Sequence, residues 1–192
     1  MEMKGSVEEL LVDIKNTTEL MVDLAYSALL YENVELAQEV VELEEMVDVA
    51  HITLIERALH SVERGGSPDA VLAVARLAVS MEVIADAARD LAEEVLKSGE
   101  VPAVVRMSIS DSDVGIVMVR VAPTSVLAGR TLGDLRLSAE TGMWVIAIKR
   151  ERRWTYGPDE NDGIEAGDIL VARGPQDSCE ELRLIAAGER DL

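Results

Sequence analysis

Glu44 and Asp48 stand four residues apart, as do Glu82 and Asp86, in stretches whose apolar residues recur at three- and four-residue steps. On a helix this spacing puts two carboxylates one turn apart on the same side, where they repel each other. Beside a buried stripe they also lose hydration. A cation between them relieves both costs, since acids on facing helices can clamp one or two metal ions. His51, three residues after Asp48, shares the face of Glu44 and Asp48, and an imidazole there suits zinc or iron. The same E-x-x-x-D spacing recurs at Glu9/Asp13 and Glu19/Asp23. A chain this acidic produces such pairs by chance, and hydrated carboxylates are the commoner outcome. Three readings therefore stand for the four central acids: a cation groove, a seam where a second bundle docks, or a solvated face.

Other reactive groups carry less. Cys179 is the lone cysteine, which excludes an internal disulfide or a cysteine zinc site and reads as a small buried hydrophobe. The basic run Lys149, Arg150, Arg152, Arg153 with Trp154 could meet a phosphate, but a solvated hairpin accounts for it. Arg136 is a candidate anion contact; an exposed arginine at a helix end is the plainer reading. No P-loop, G-x-S-x-G, H-E-x-x-H or strand-linked G-x-G-x-x-G occurs, and no nucleophile–base set points to an enzyme.

The elements that must position these groups follow from composition. Of the 37 acidic residues, 22 lie in residues 1–100, which hold only 7 of the 18 basic ones. Four of the five prolines and most glycines fall in the second half. The shift near Lys97–Pro102 divides the chain into a helical domain (1–100), a linker (101–113) and a second domain (114–192). The first half reads as three long helices, about 6–31, 34–64 and 68–97. Their buried stripes are Leu10, Ile14, Met21, Leu24 and Ala28; Leu36, Val40, Leu43, Val47, Ala50 and Leu54; and Met81, Ile84, Leu91 and Val95. Gly65–Gly66 stops the second helix and Ser67–Pro68 opens the third. Short connections make neighbours antiparallel, giving an all-α up-down-up bundle. The second half is α+β, with a mainly antiparallel sheet and two helices: strands at 115–123, 143–150, Arg153–Tyr156 and 168–174, and helices at 130–137 and 175–188. Gly129, Gly142 and Gly167 sit where tight turns with positive φ are needed.

A net charge of −19 repels phosphate backbones and anionic membranes, so a nucleic-acid polymer is not an expected partner. No run of 18 apolar residues exists, so no span of a bilayer is expected. The acidic amphipathic start is unlike a secretory signal, and the expected location is the cytoplasm.

The first half resembles a PhoU domain. M-E-V-I-A-D-A-A-R-D-L-A (81–92) follows that family's third-helix motif, and Glu44 and Asp48 match its second-helix motif. The resemblance implies that Glu44, Asp48, Glu82 and Asp86 hold a divalent metal or an iron or zinc cluster, with His51 nearby. It covers one repeat where a full PhoU has two. The second half resembles the TrkA C-terminal (RCK-C) domain, through L-A-G-R-T-L-G-D-L (127–135), G-M-W-V-I-A-I-K-R (142–150) and I-E-A-G-D-I-L-V-A-R-G (164–174). This implies a homodimer, a cyclic dinucleotide or other small ligand with Arg136 as a contact, and a cytoplasmic regulatory role beside a potassium channel or transporter. The alternative is a PhoU-type metal-binding regulator of phosphate uptake or signalling.

Overall fold

The computed structural model describes residues 6–98, 101–110 and 113–192, in two compact units divided at Ala103/Val104.

The first unit is three long helices, α1 (Val7–Tyr31), α2 (Val34–Glu63) and α3 (Pro68–Ser98). Ser6 and Glu9 close the start of α1 reciprocally: the Ser6 hydroxyl accepts from the Glu9 N–H at 3.1 Å, and the Ser6 N–H donates to the Glu9 carboxylate at 2.7 Å. Two otherwise orphaned donors are satisfied in this way. Glu32, left-handed at φ 49°, ends α1, and the Asn33 side chain caps α2 by accepting from the N–H groups of Glu35 and Leu36. The stripes expected on α1 and α2 are buried throughout.

The stripe expected on α3 is corrected. Ala78, Ala85, Ala88 and Ala92 are buried with Val95, while Ile84 is 47% exposed and Met81 and Leu91 are only half-buried. Alanines at spacings of seven, three and four residues form one face, and their small side chains let α3 close on α1 and α2. Larger residues are thereby turned to the flanks. The helix pairs by sequence as expected, but it is rotated about its axis.

The 101–113 stretch, expected as a linker, carries the short helix α4 (Ala103–Ser110). The second unit continues with β1 (Val114–Arg120), β2 (Arg130–Thr131), α5 (Leu132–Leu135), α6 (Leu137–Thr141), β3 (Trp144–Arg150), β4 (Arg153–Tyr156), β5 (Gly163–Ile164), β6 (Ile169–Pro175) and α7 (Ser178–Ala187). The main sheet has the order β1-β6-β3-β4 and every pair is antiparallel; β2 and β5 form a separate ribbon. Leu182 and Ile185 of α7 join Val117, Val119, Leu170 and Ala172 of the sheet in one core. Cys179 is buried in it, and the apolar surroundings push its thiol pKa up, which favours the unreactive thiol. Gly129, Gly142 and Gly167 all have positive φ. The single helix expected at 130–137 is instead a strand and two helical turns, because Arg136 adopts a left-handed conformation (φ 49°) that ends α5 and starts α6.

Arg150 departs from the solvated hairpin expected of the basic run. Asp168, 1% exposed, accepts from the Arg150 guanidinium through both oxygens, at 3.0 and 2.8 Å, and from the Glu165 N–H at 2.8 Å. Arg150 also donates to Glu165 and to the Gly163 carbonyl, at 2.8 and 2.7 Å. Lys149 lies over the Trp154 ring, which stacks on Tyr156.

Asp168→Ala removes a buried acceptor and leaves the guanidinium and the Glu165 amide without it. We expect a loss of about 2–3 kcal/mol, since hydrogen bonds to charged groups are worth about 1.5–3 kcal/mol, whereas exposed Arg152→Ala should change stability by less than about 0.5 kcal/mol. Denaturant melts followed by Cys179 alkylation check this: the thiol should label slowly in the native protein, and labelling should begin at lower denaturant in the Asp168 variant. Coincident curves for the two variants would remove the structural role given to Asp168.

Candidate functional site

Two groupings of chemistry-bearing residues emerge, one in each unit. In the bundle, α2 and α3 bring Glu44, Asp48 and Asp86 together, with a ligand oxygen from each within 4.8 Å of the others. Glu44 is 4% exposed, a position a carboxylate occupies only when paired. Arg89, one turn past Asp86, supplies the pairing at 2.9 Å and also bonds Glu93 at 3.1 Å. Hydrogen bonding to Glu44, above all, raises the pKa of Arg89 further. Glu82 is not in this cluster. It lies 2.6 Å from Nδ1 of His51, one turn along the helix pair. The structure thus splits the four expected acids and the histidine into an all-oxygen trio beside an arginine and a separate His51–Glu82 pair. Oxygen donors alone suit a hard cation such as magnesium, manganese or calcium better than zinc. Glu44 would then be shared between such an ion and Arg89. Arg89 could have been sought in the sequence as a compensating cation one turn beyond Asp86.

In the second unit a cleft of about 340 Å³ opens between α5–α6, the start of β3 and the 158–160 loop. That volume is within the range of small-molecule sites. Leu137 and Met143 are buried beneath it, and Arg136 and Trp144 stand at its rim. Trp144 is 63% exposed, a large aromatic surface left in water. Arg136 is placed by its left-handed backbone, with its N–H bonded to the Leu132 carbonyl and its own carbonyl accepting from Ala139 and Glu140. It is indeed at a helix end, but that end faces a cleft. The opposite wall is fastened by hydrogen bonds from Leu132 to the Asp162 carbonyl (3.0 Å) and from Gly133 to the Glu160 carbonyl (2.8 Å). A Cβ on Gly133 would lie 2.8 Å from that Glu160 oxygen, so any side chain there would force the loop away. A guanidinium beside an indole can pair with a phosphate and stack on a flat base. Trp144 was missed in the sequence because it opens a strand of otherwise core-forming residues; a tryptophan at the exposed end of that alternation was the available signal.

Residues 116–187 match the TrkA-C domain family and residues 11–95 match the PhoU domain family. The chain joins a PhoU domain to a TrkA-C domain. Over 63 residues it is 36% identical to the Ktr system potassium uptake protein A of Vibrio alginolyticus; the match takes in 33% of this chain and 29% of that relative's length. Among solved structures it is similar to the RCK_C domain dimer of S. agalactiae BusR in complex with c-di-AMP. There the identity is 24% and the TM-score 0.36, covering 41% of this chain and 96% of that one. It is also similar to the KtrA RCK C domain in complex with cyclic diadenosine monophosphate, at 28% identity and TM-score 0.35, covering 42% and 91%. The GsuK RCK domain is a further likeness, at 18% identity and TM-score 0.36, covering 56% of this chain and 21% of that one. Among the described residues, no helix is long and apolar enough to cross a membrane.

The pairing of Arg89 with Glu44 gives a direct test of the PhoU-domain site. Arg89→Met strands a buried carboxylate and should lower the urea midpoint of the chain clearly, though by less than breaking a fully buried pair would, because Arg89 is partly exposed. Arg89→Met/Glu44→Leu should recover most of that loss. A double variant as unstable as the single one in urea melts would show that Arg89 does not serve Glu44.

Proposed function

We propose that this chain is a cytoplasmic regulatory subunit of potassium transport, in which the TrkA-C domain senses a small anionic ligand and the PhoU domain addresses a partner. The observation that carries the reading is the Arg136–Trp144 cleft, lying within a TrkA-C domain in a chain partly similar to a potassium uptake protein. A cyclic dinucleotide answers the cleft's chemistry: a purine stacks on the Trp144 indole and a bridging phosphate accepts from Arg136. A second copy of the domain supplies the other half of such a two-fold ligand, so the working form on this reading is a homodimer. The surface charge disfavours nucleic-acid polymers as partners.

The test is calorimetric titration of the full chain with cyclic di-adenosine monophosphate. One ligand per two chains is expected. Trp144→Ala and Arg136→Ala should each weaken binding at least about tenfold, which corresponds to about 1.4 kcal/mol. Absence of binding, or affinity indifferent to both variants, would remove the cleft from the proposal.

The convergence of Glu44, Asp48 and Asp86 favours a second reading, a metal-binding regulator of phosphate uptake or signalling. On it, the three carboxylates hold a hard divalent cation and His51–Glu82 braces the neighbouring turn. Purification without chelator followed by elemental analysis should find metal in the wild type and not in Asp48→Asn/Asp86→Asn. Melting of the wild type but not of the variant should rise with added magnesium or manganese. Identical metal content and identical melting would leave the trio as a hydrated face with one internal ion pair.

A further inference from the structure

The contacts between α2 and α3 fix their relative register, since Glu44 meets Arg89 and His51 meets Glu82. Along the outer flank that begins at the acid trio, α2 presents Asp48, Ile52, Ile55 and Leu59, at steps of four, three and four residues. The antiparallel α3 presents Asp86, Val83, Val79 and Leu72. These residues lie on the same outer side of the helix pair, by the geometry of 3.6 residues per turn. Ile52 is 63% and Val83 60% exposed, and Leu59, Val79 and Leu72 are exposed as well. Branched aliphatics spaced in this way on two adjacent helices form one apolar strip, the kind of surface that marks an interaction site rather than scattered exposure. Acids cluster at its start, where Glu45, Asp48, Asp86 and Asp90 are all exposed, and Glu56 is exposed on α2 between Ile52 and Leu59. Arg76 is the one basic residue on the α3 side of the strip among the described residues.

We infer that this strip is a docking site for a basic amphipathic helix of a partner protein. Two parallel ridges of aliphatics make a groove that accepts a third helix through anchors at i, i+3, i+4 and i+7. The carboxylates at its start and Glu56 along α2 then meet lysines or arginines of that helix. A second copy of the bundle is the poorer occupant. It would bring the acidic surplus of residues 1–100, 22 acids against 7 basic residues, up against the same surplus, and like charges repel across an interface. An anionic bilayer is repelled for the same reason. The cytoplasmic segments of membrane proteins are rich in lysine and arginine. For the source of the helix, the inference rests on the proposed role beside a transporter; the surface itself does not depend on that role.

The experiment uses the full chain and three labelled 18-residue peptides: an amphipathic leucine–lysine helix, its leucine–glutamate counterpart, and a scrambled leucine–lysine peptide of the same composition. Fluorescence anisotropy should show saturable binding of the amphipathic basic peptide, at least about tenfold tighter than the scrambled one, and none of the acidic one. Ile52→Ser/Val83→Ser should weaken it at least tenfold without lowering the melting temperature, while Met46→Ser/Val49→Ser, on another flank of α2, should not. Equal binding of amphipathic and scrambled peptides, or indifference to Ile52→Ser/Val83→Ser, would overturn the site as mere attraction between opposite charges. Self-association of the wild type that this double variant abolishes in sedimentation would assign the strip to a second copy and overturn the proposal equally. Failure here together with cyclic dinucleotide binding at the Trp144 cleft would sink the docking strip and leave the regulator reading standing.

Discussion

A carboxylate withdrawn from water must be answered by donors, and in the TrkA-C domain the answer given to Asp168 organises much of what surrounds the cleft. Arg150, at the end of β3, reaches across to Asp168, just before β6, and in the same gesture holds the Gly163 carbonyl. Gly163 belongs to β5, which pairs with Arg130–Thr131 of β2. Thr131 in turn caps α5, its hydroxyl accepting from the Asp134 N–H at 3.1 Å. One turn later Arg136 takes its left-handed conformation at the rim of the cleft. The path from buried charge to candidate ligand contact is thus a chain of hydrogen bonds through rigid elements, which is how a binding group is held to a fraction of an ångström. Arg150 is the partner suited to this: its planar fork spans both oxygens of Asp168 and still reaches a carbonyl, which a lysine's single ammonium would not do in the same geometry.

The PhoU domain solves a different problem. Its third helix contributes alanines to the core, so close approach takes the place of bulk. Each buried alanine removes less apolar surface from water than a leucine would, and the large residues of that helix are left toward solvent. The same rotation carries Asp86 into reach of Glu44 and Asp48 and lets Arg89 neutralise the buried Glu44. Ion pair, acid trio and exposed aliphatic strip are therefore consequences of one packing choice.

The three long helices were legible because their periodicity and punctuation agree: the α1 and α2 stripes, Gly65–Gly66 and Pro68 all point the same way. The stripe on α3 is hidden because a seam of small residues makes as close a contact as large ones, without the size that marks burial in a sequence. The break at Arg136 carried no mark, since arginine has no preference for the left-handed region and only the surrounding hydrogen bonds hold it there. Which acid meets which partner was equally hidden. Spacing along one helix says which side chains share a face, but the register of one helix against another decides that Glu82 meets His51 while Asp86 joins Glu44. Arg150 looked like one cation among four because the buried Asp168 that singles it out lies 18 residues away.

Charge at the cleft bears on which ligand the proposed sensor would admit. Arg136 lines it together with Asp159 and Glu160. The Asp159 carboxylate is engaged in its own turn, accepting from the Asn161 N–H at 2.7 Å, but its charge remains. A terminal phosphate carries nearly two negative charges near neutral pH and would meet one guanidinium and two acids. A phosphodiester carries a single charge spread over two free oxygens, so the same acids repel it less while the guanidinium can still bind it in a bidentate manner. The exposed indole of Trp144 adds attraction that does not depend on charge. On the proposed reading, the balance selects diester-linked, base-bearing ligands over mononucleotides with terminal phosphates, and the acidic loop acts as the discriminating wall by rejecting the more highly charged competitor.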